Sequence, residues 1–259
     1  MPEESPTLTA QVKLAIAGKT LAIDLTVPNA PVRLDALLPV FQSLADAVIG
    51  RVVAGTTGPG TGRTISCKAG CGACCRQLVP IAEAEARRIR DLVEHLPEPR
   101  RGQVRERFAA ARRRLEASGM LEALLHPERI EMEEHAPLGL AYFHQQLACP
   151  FLEEESCSIH TDRPIACREY LVTSPAVHCA DPTPETIDLV KLPCTLWSTL
   201  LSPPTEALPA RSSCVPLVLA PEWAENHPEE PPARTATDWV VEAIGRLTGT
   251  LPPPPSPRE

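Results

Sequence analysis

No stretch of the sequence approaches the roughly 20 uninterrupted apolar residues that a membrane-spanning helix needs. The N-terminus, MPEESPTLTA, is acidic where a secretory signal is basic, and no apolar run follows it. Both absences lead us to expect a cytoplasmic protein with no membrane partner, where a cysteine is a free thiol or a metal ligand. Surplus positive charge is missing as well. With 25 Lys and Arg against 33 Asp and Glu the formal net charge is −8, which argues against a nucleic-acid partner. The arginine runs Arg87-Arg88-Ile89-Arg90 and Arg112-Arg113-Arg114 read as solvated helix faces with i,i+4 pairs. No repeat of period about 20–50 residues is present, so a solenoid is not expected. Hydrolytic signatures are absent too: there is no Ser-His-Asp order and no paired carboxylate, and Glu153-Glu154-Glu155 reads as a solvated turn. The glycine-rich AGTTGPGTGRT, residues 54–64, lacks the Lys and Ser or Thr that complete a phosphate loop and follows no buried strand. It reads as a linker.

Ten cysteines in 259 residues are too sparse for a small disulfide scaffold, and a 28.0 kDa chain buries a core without staples. The elements of that core follow from periodicity. Leu8, Ala10, Val12, Leu14 and Ile16, then Leu21, Ile23, Leu25 and Val27, alternate around a Gly-containing turn and predict a β-hairpin. Leu34, Leu37, Leu38, Phe41, Leu44, Val48 and Val52 predict an amphipathic helix over 33–53. Hairpin, helix and linker read as an N-terminal appendage, residues 1–62. Pro80 is placed at the first turn of a helix to Leu96, with Ala82, Ala86, Ile89 and Val93 on one face. A second helix to Ala117 and a short third in GMLEALL complete a helical insert. A tight hairpin and a short helix after Pro164 follow, closing a domain over 63–182. Alternating segments in TIDLVKL and CVPLVLAPEW and a last helix over 237–247 make up 183–250, and 251–259 reads as a disordered tail. The fold class is α+β, mainly helical, around a cysteine-rich core with an N-terminal β-hairpin and a helical insert.

The chemistry lies in SCKAGCGACCRQ, which puts Cys67, Cys71, Cys74 and Cys75 within nine positions, and in a second block carrying Cys149, Cys157, Cys167 and Cys179. Cys194 and Cys214 stand alone in apolar surroundings and read as small buried hydrophobes. The first block has no apolar periodicity that explains buried thiols. A disulfide between adjacent Cys74 and Cys75 is a strained ring, and the expected compartment is reducing. Metal binding remains, because thiolates hold soft and borderline metals and a Gly-containing loop lets several sulfurs turn inward. Cys71 and Cys74 form one zinc-like knuckle, but the second block offers only wide spacings. The C-x3-C-x2-C opening and Cys149-Pro150 are closer to iron–sulfur usage. Zinc and a 4Fe–4S cluster both stay open. Lys68, Arg163 and Arg168 are the nearby cations. Arg163 and Arg168 are read as cofactor-binding residues that offset thiolate charge, the alternative being surface pairs with Asp162 or Glu169.

CKAGCGACC followed by CPFLEEESCSIHTDRPIACREY resembles the YkgJ-type cysteine cluster family of zinc- or iron-chelating domains. The matches are Cys67, Cys71, Cys74 and Cys75, then Cys149, Pro150, Phe151, Leu152, Cys157, Ile159, Arg163, Pro164, Cys167 and Arg168. His160 stands where the family has Tyr, and is read as replacing a packing aromatic, with a ligand role as the alternative. The resemblance covers residues 66–179 and implies a metal-binding protein with a structural, redox or sensing role and an unidentified protein or redox partner. The wider family is similar to flagellin lysine methylases, which implies iron–sulfur-dependent methyl transfer as the second reading. Radical S-adenosylmethionine chemistry shares the C-x3-C-x2-C spacing, but no strand–helix alternation follows it here. A metallochaperone is the third reading. No catalytic residue is assigned.

Overall fold

The computed structural model describes residues 6–16, 18–183, 185–201, 214–227 and 234–251. The tail expected to be disordered lies, apart from Leu251, outside them. Strands β1 (Thr7–Ile16) and β2 (Lys19–Pro28) form the expected antiparallel hairpin, pairing Val12 with Ile23 and Leu14 with Leu21. Gly18 sits at φ +73°, the left-handed geometry such a tight turn asks of glycine. Period two puts Leu14, Ile16, Leu25 and Val27 on the buried face, while Thr9 bonds Thr26 across the wet face. A short strand β3 (Pro31–Val32) leads through a tight turn into α1 (Leu38–Thr56).

The continuous helical stretch Leu34–Thr56, 23 residues with an 18-residue window at mean hydropathy 1.5, is long and apolar enough to cross a bilayer by those measures. Here its apolar side is core. Leu37, Phe41, Leu44, Val48 and Val52 pack with the hairpin and with Ile165, Leu196, Ala236 and Val240 in the largest hydrophobic cluster. Burying each such side chain is worth about 1.5–3 kcal/mol. The segment read as an appendage is therefore a wall of the main core.

Pro80 does not open a helix. Strand β4 (Pro80–Ala82) comes first, and α2 (Glu83–Glu94) starts three residues later than expected. The cause is non-local, because Ile81 pairs with Val215 some 130 residues away. Helices α3 (Arg100–Ala117) and α4 (Leu121–Leu125) stand as expected. An unexpected α5 (Met132–His144) follows, carrying Pro137 inside it, a residue that reads as a breaker. The predicted tight hairpin is β5 (Leu152–Glu153) with β6 (Ser156–Cys157), and the helix after Pro164 is α6 (Ile165–Glu169).

TIDLVKL supplies only a single bridge, Val172 to Leu189, and α7 (Leu196–Leu200) lies beyond it. CVPLVLAPEW is divided between β7 (Cys214–Pro216), the partner of β4, and a turn into α8 (Ala220–Asn226). Strand β8 (Arg234–Thr235) pairs with β3, and α9 (Ala236–Leu247) is the predicted last helix. Thr235 caps it by accepting from the Asp238 amide at 3.1 Å. A second cluster, Ile81, Ile89, Val104, Phe108, Phe151, Ile159 and Val215, joins the helical insert to the β5–β6 hairpin.

Candidate metal centre

The two cysteine blocks meet. The Cys149 amide donates to the Cys75 carbonyl at 2.7 Å, across some seventy residues of chain. The Gly70 amide donates to the Ser156 hydroxyl at 3.0 Å, and Arg76 forks onto Glu155 at 2.6 and 3.0 Å. Gly72 lies so close to the hairpin that a Cβ there would meet Leu152 and the Glu155 carboxylate at 2.6 Å each. A 3-10 turn over Ala73–Arg76 carries Cys74 and Cys75, closed by the Cys75 amide on the Gly72 carbonyl at 3.0 Å. It packs against a second such turn, Ala176–Ala180, which carries Cys179.

Cys167 is set by the fastening of α6. Glu85, 2% exposed, accepts from the Ala82 amide at 3.0 Å and from the Ile165 amide at 2.8 Å, tying the start of α2 to the start of α6. Arg168, next to Cys167, donates to the Arg163 carbonyl at 2.9 Å, to the Thr161 carbonyl, and to Asp46 of α1 at 2.7 Å. Glu169 accepts from the Leu196 and Trp197 amides at the start of α7. Arg168 is thus a brace paired with Asp46, and neither Asp162 nor Glu169 is its partner. The other residues of the motif also build the frame. Phe151, 1% exposed, stands edge-on to Phe108 with centroids 5.5 Å apart, and Ile159 is buried beside it. Glu154 and Glu155 take positive φ at the hairpin tip, while Glu153 pairs with Arg107 at 2.9 Å.

All ten cysteines are free thiols. Burial and neighbouring groups shift Cys67, Cys74, Cys75, Cys149, Cys157, Cys167 and Cys179. Cys74 accepts a hydrogen bond from the Cys75 thiol, which, with the Arg163 charge, brings it down to about 7; the same bond, with burial, drives Cys75 up. Burial raises Cys149 to about 12, with Cys157 and Cys74 adding to the rise. Cys167 is pushed well above its ordinary value by burial, then by Cys149, Cys74 and Cys157. Cys67, Cys157 and Cys179 rise with burial too. Arg163 acts on Cys67, Cys74 and Cys157, and its buried Nε has no hydrogen-bond partner among the described residues. It is placed to offset thiolate charge, and Arg168 also lowers Cys157. Lys68 is exposed.

His160 is exposed, so it replaces no packing aromatic; Arg163 first, then burial, lowers its basicity. The His178 Nδ1 is spent on the Thr186 carbonyl at 3.0 Å. Cys194 and Cys214 pack against the main apolar cluster, as expected of lone thiols. Among the described residues no three His, Cys, Asp or Glu side chains are placed where they could together hold a metal ion. The donor chemistry still fits a metal, because the backbone bond from Cys149 to Cys75 joins two blocks whose cysteines are all free, and thiols become ligands by giving up protons to a cation. Sequence reasoning missed Glu85, Asp46 and Gly72. Only Glu85 left a local signal, an acid in the first turn of α2 that reaches back to the capping amide.

A protein-family model, CxxCxxCC, described as "Putative zinc- or iron-chelating domain", matches residues 66–194. The matched stretch, just under half of the chain, contains both cysteine blocks and carries this family's pattern. It is a metal-binding domain of the zinc- or iron-chelating kind. No curated protein and no solved structure matches the chain.

Proposed function

We propose that the two blocks hold an iron–sulfur cluster of the 4Fe–4S type, with zinc as the alternative occupant, in a cytoplasmic protein whose centre has a structural, redox or sensing role. The observation that carries the reading is the backbone hydrogen bond from Cys149 to Cys75, which joins two blocks whose cysteines are all free thiols. An all-sulfur donor set suits iron–sulfur clusters and four-cysteine zinc sites equally well. The C-x3-C-x2-C opening tips the choice towards iron. When bound, the group supplies either one-electron chemistry or a rigid cross-link. The chain's own residues orient the sulfurs through Glu85, Arg168 and Gly72 and offset their charge through Arg163. A protein or redox partner goes with the redox role, while methyl transfer rests on the family resemblance alone, with no observation at this site favouring it. Anaerobic purification with metal and acid-labile sulfide analysis and a visible spectrum tests the reading. Brown protein with sulfide matching its iron is expected; colourless protein with stoichiometric zinc contradicts the choice of iron.

A further inference from the structure

Strand β1 has an open edge. The β1–β2 hairpin is a sheet of two strands, and no other strand among the described residues pairs with either. Ile16 and Lys19 close its tight turn as a hydrogen-bonded pair, and such pairs recur at every second residue of an antiparallel ladder. The even-numbered residues of β1 therefore bond β2. Thr7, Thr9, Gln11, Lys13 and Ala15 turn their amides and carbonyls outward, and all five are exposed, with no backbone partner on that side among the described residues. Natural sheets blunt such an edge with charges, proline or a covering element. The outer edge of β2 is guarded in this way, because Asp24 and Pro28 stand among its outward-facing residues. Strand β1 has neither proline nor acid, and Lys13 is its one charge. On the face turned to the helices, α1 and α9 pack mainly against β2, which leaves Leu8 and Ala10 exposed beside the open edge, Leu8 at 45%. The pattern is complementary to itself. Two copies of β1 related by a two-fold axis through Gln11 run antiparallel and match outward-facing residues with outward-facing ones: Gln11 with Gln11, Thr9 with Lys13, Thr7 with Ala15. Lys13 then meets a neutral hydroxyl and never its own copy, while Leu8 comes opposite the partner's Leu14 and Ala10 opposite the partner's Val12.

We propose that β1 is a dimerisation edge whose occupant is a second copy of this chain, paired antiparallel about Gln11 so that two hairpins become one four-stranded sheet. Two strands alone make a marginal sheet, and the added pairing gives the outward amides and carbonyls of both copies their partners. Sedimentation equilibrium of the full-length protein under reducing conditions tests this on wild type, Thr9→Lys and Thr9→Glu. Position 9 lies on the wet face, and both variants lose the same Thr9–Thr26 hydrogen bond, so what separates them is the charge set against the partner's Lys13. A concentration-dependent dimer is expected in wild type. The pair of positions 9 and 13 occurs twice in the dimer, so Thr9→Lys is expected to weaken it by about 2- to 30-fold and Thr9→Glu to tighten it by a similar factor. That order is the reverse of what repulsion between two chains of net charge −8 imposes. A dimer indifferent to both charges pairs elsewhere and overturns the proposal. So does a monomer at every concentration: slow hydrogen exchange at the outward amides then means that the edge is covered from within the chain, and fast exchange that it is left to a different partner. The wild-type result does not depend on whether a variant folds.

Discussion

Gly72 shows at the scale of one residue why this loop is glycine-rich. Its φ of −95° is open to any residue, so its role is space: the hairpin side chains stand where a Cβ would go. Gly72→Ala has to push the cysteine loop off β5–β6 or shift Leu152 and Glu155. Such overpacking costs about 1–3 kcal/mol. A lower denaturation midpoint with reduced metal content is the expected result, and wild-type values for both would show that the loop and hairpin are not in contact. The residues that define the motif were legible in the sequence as a set, but their division of labour was not. Cys149 and Phe151 look alike as motif positions, yet Phe151 is buried inside the second cluster against Phe108, while Cys149 packs at its edge and is acted on by Cys157 and Cys74. Which does which depends on partners distant in sequence, as with the Arg168–Asp46 pair.

At the scale of elements, α6 has five residues and β5–β6 two residues a strand, too short to stand alone. They depend on fastenings to longer helices. Glu85→Ala leaves two buried amides without acceptors, each worth about 1–3 kcal/mol. Urea unfolding is expected to show that loss, with hydrogen exchange accelerated at Ile165; unchanged exchange there would contradict the fastening. Glu169 gives a pH signature. Burial holds its carboxyl up at about 7 against an ordinary 4.5. The folded state therefore binds this proton more tightly than the unfolded chain does. The contribution is fully present below about pH 4.5 and is lost as pH rises through about 7. Glu169→Gln is expected to flatten the fall of stability between those values, and an unaltered slope would assign it to other groups.

The same scale shows what periodicity could and could not reveal. The hairpin β1–β2 and helices α1, α3 and α9 were readable because each carries several turns or pairs of its own apolar pattern. Strands β4 and β7 are three residues each and exist only through their pairing with one another. Helix α5 leaves most of its first half exposed and contains Pro137, so no buried stripe announces it.

For the whole molecule, α1 backs α6 from one side, α2 and the β4–β7 pair hold its start, and α7 follows its end. A metal bound between the cysteine blocks closes the intervening helical insert into a loop. Thiolate–metal binding in small domains is worth on the order of 10–16 kcal/mol, enough to dominate local order there. The core clusters do not contain that metal, so the helices are expected to outlast its removal. The central claim, that both blocks grip metal together, is tested most directly by mapping thiol alkylation by mass spectrometry before and after chelation. The account predicts that cysteines from both blocks, Cys67–Cys75 on one side and Cys149–Cys179 on the other, are protected in metal-loaded protein and become reactive when the metal is withdrawn. Protection confined to one block, or reactivity that ignores the chelator, would contradict it.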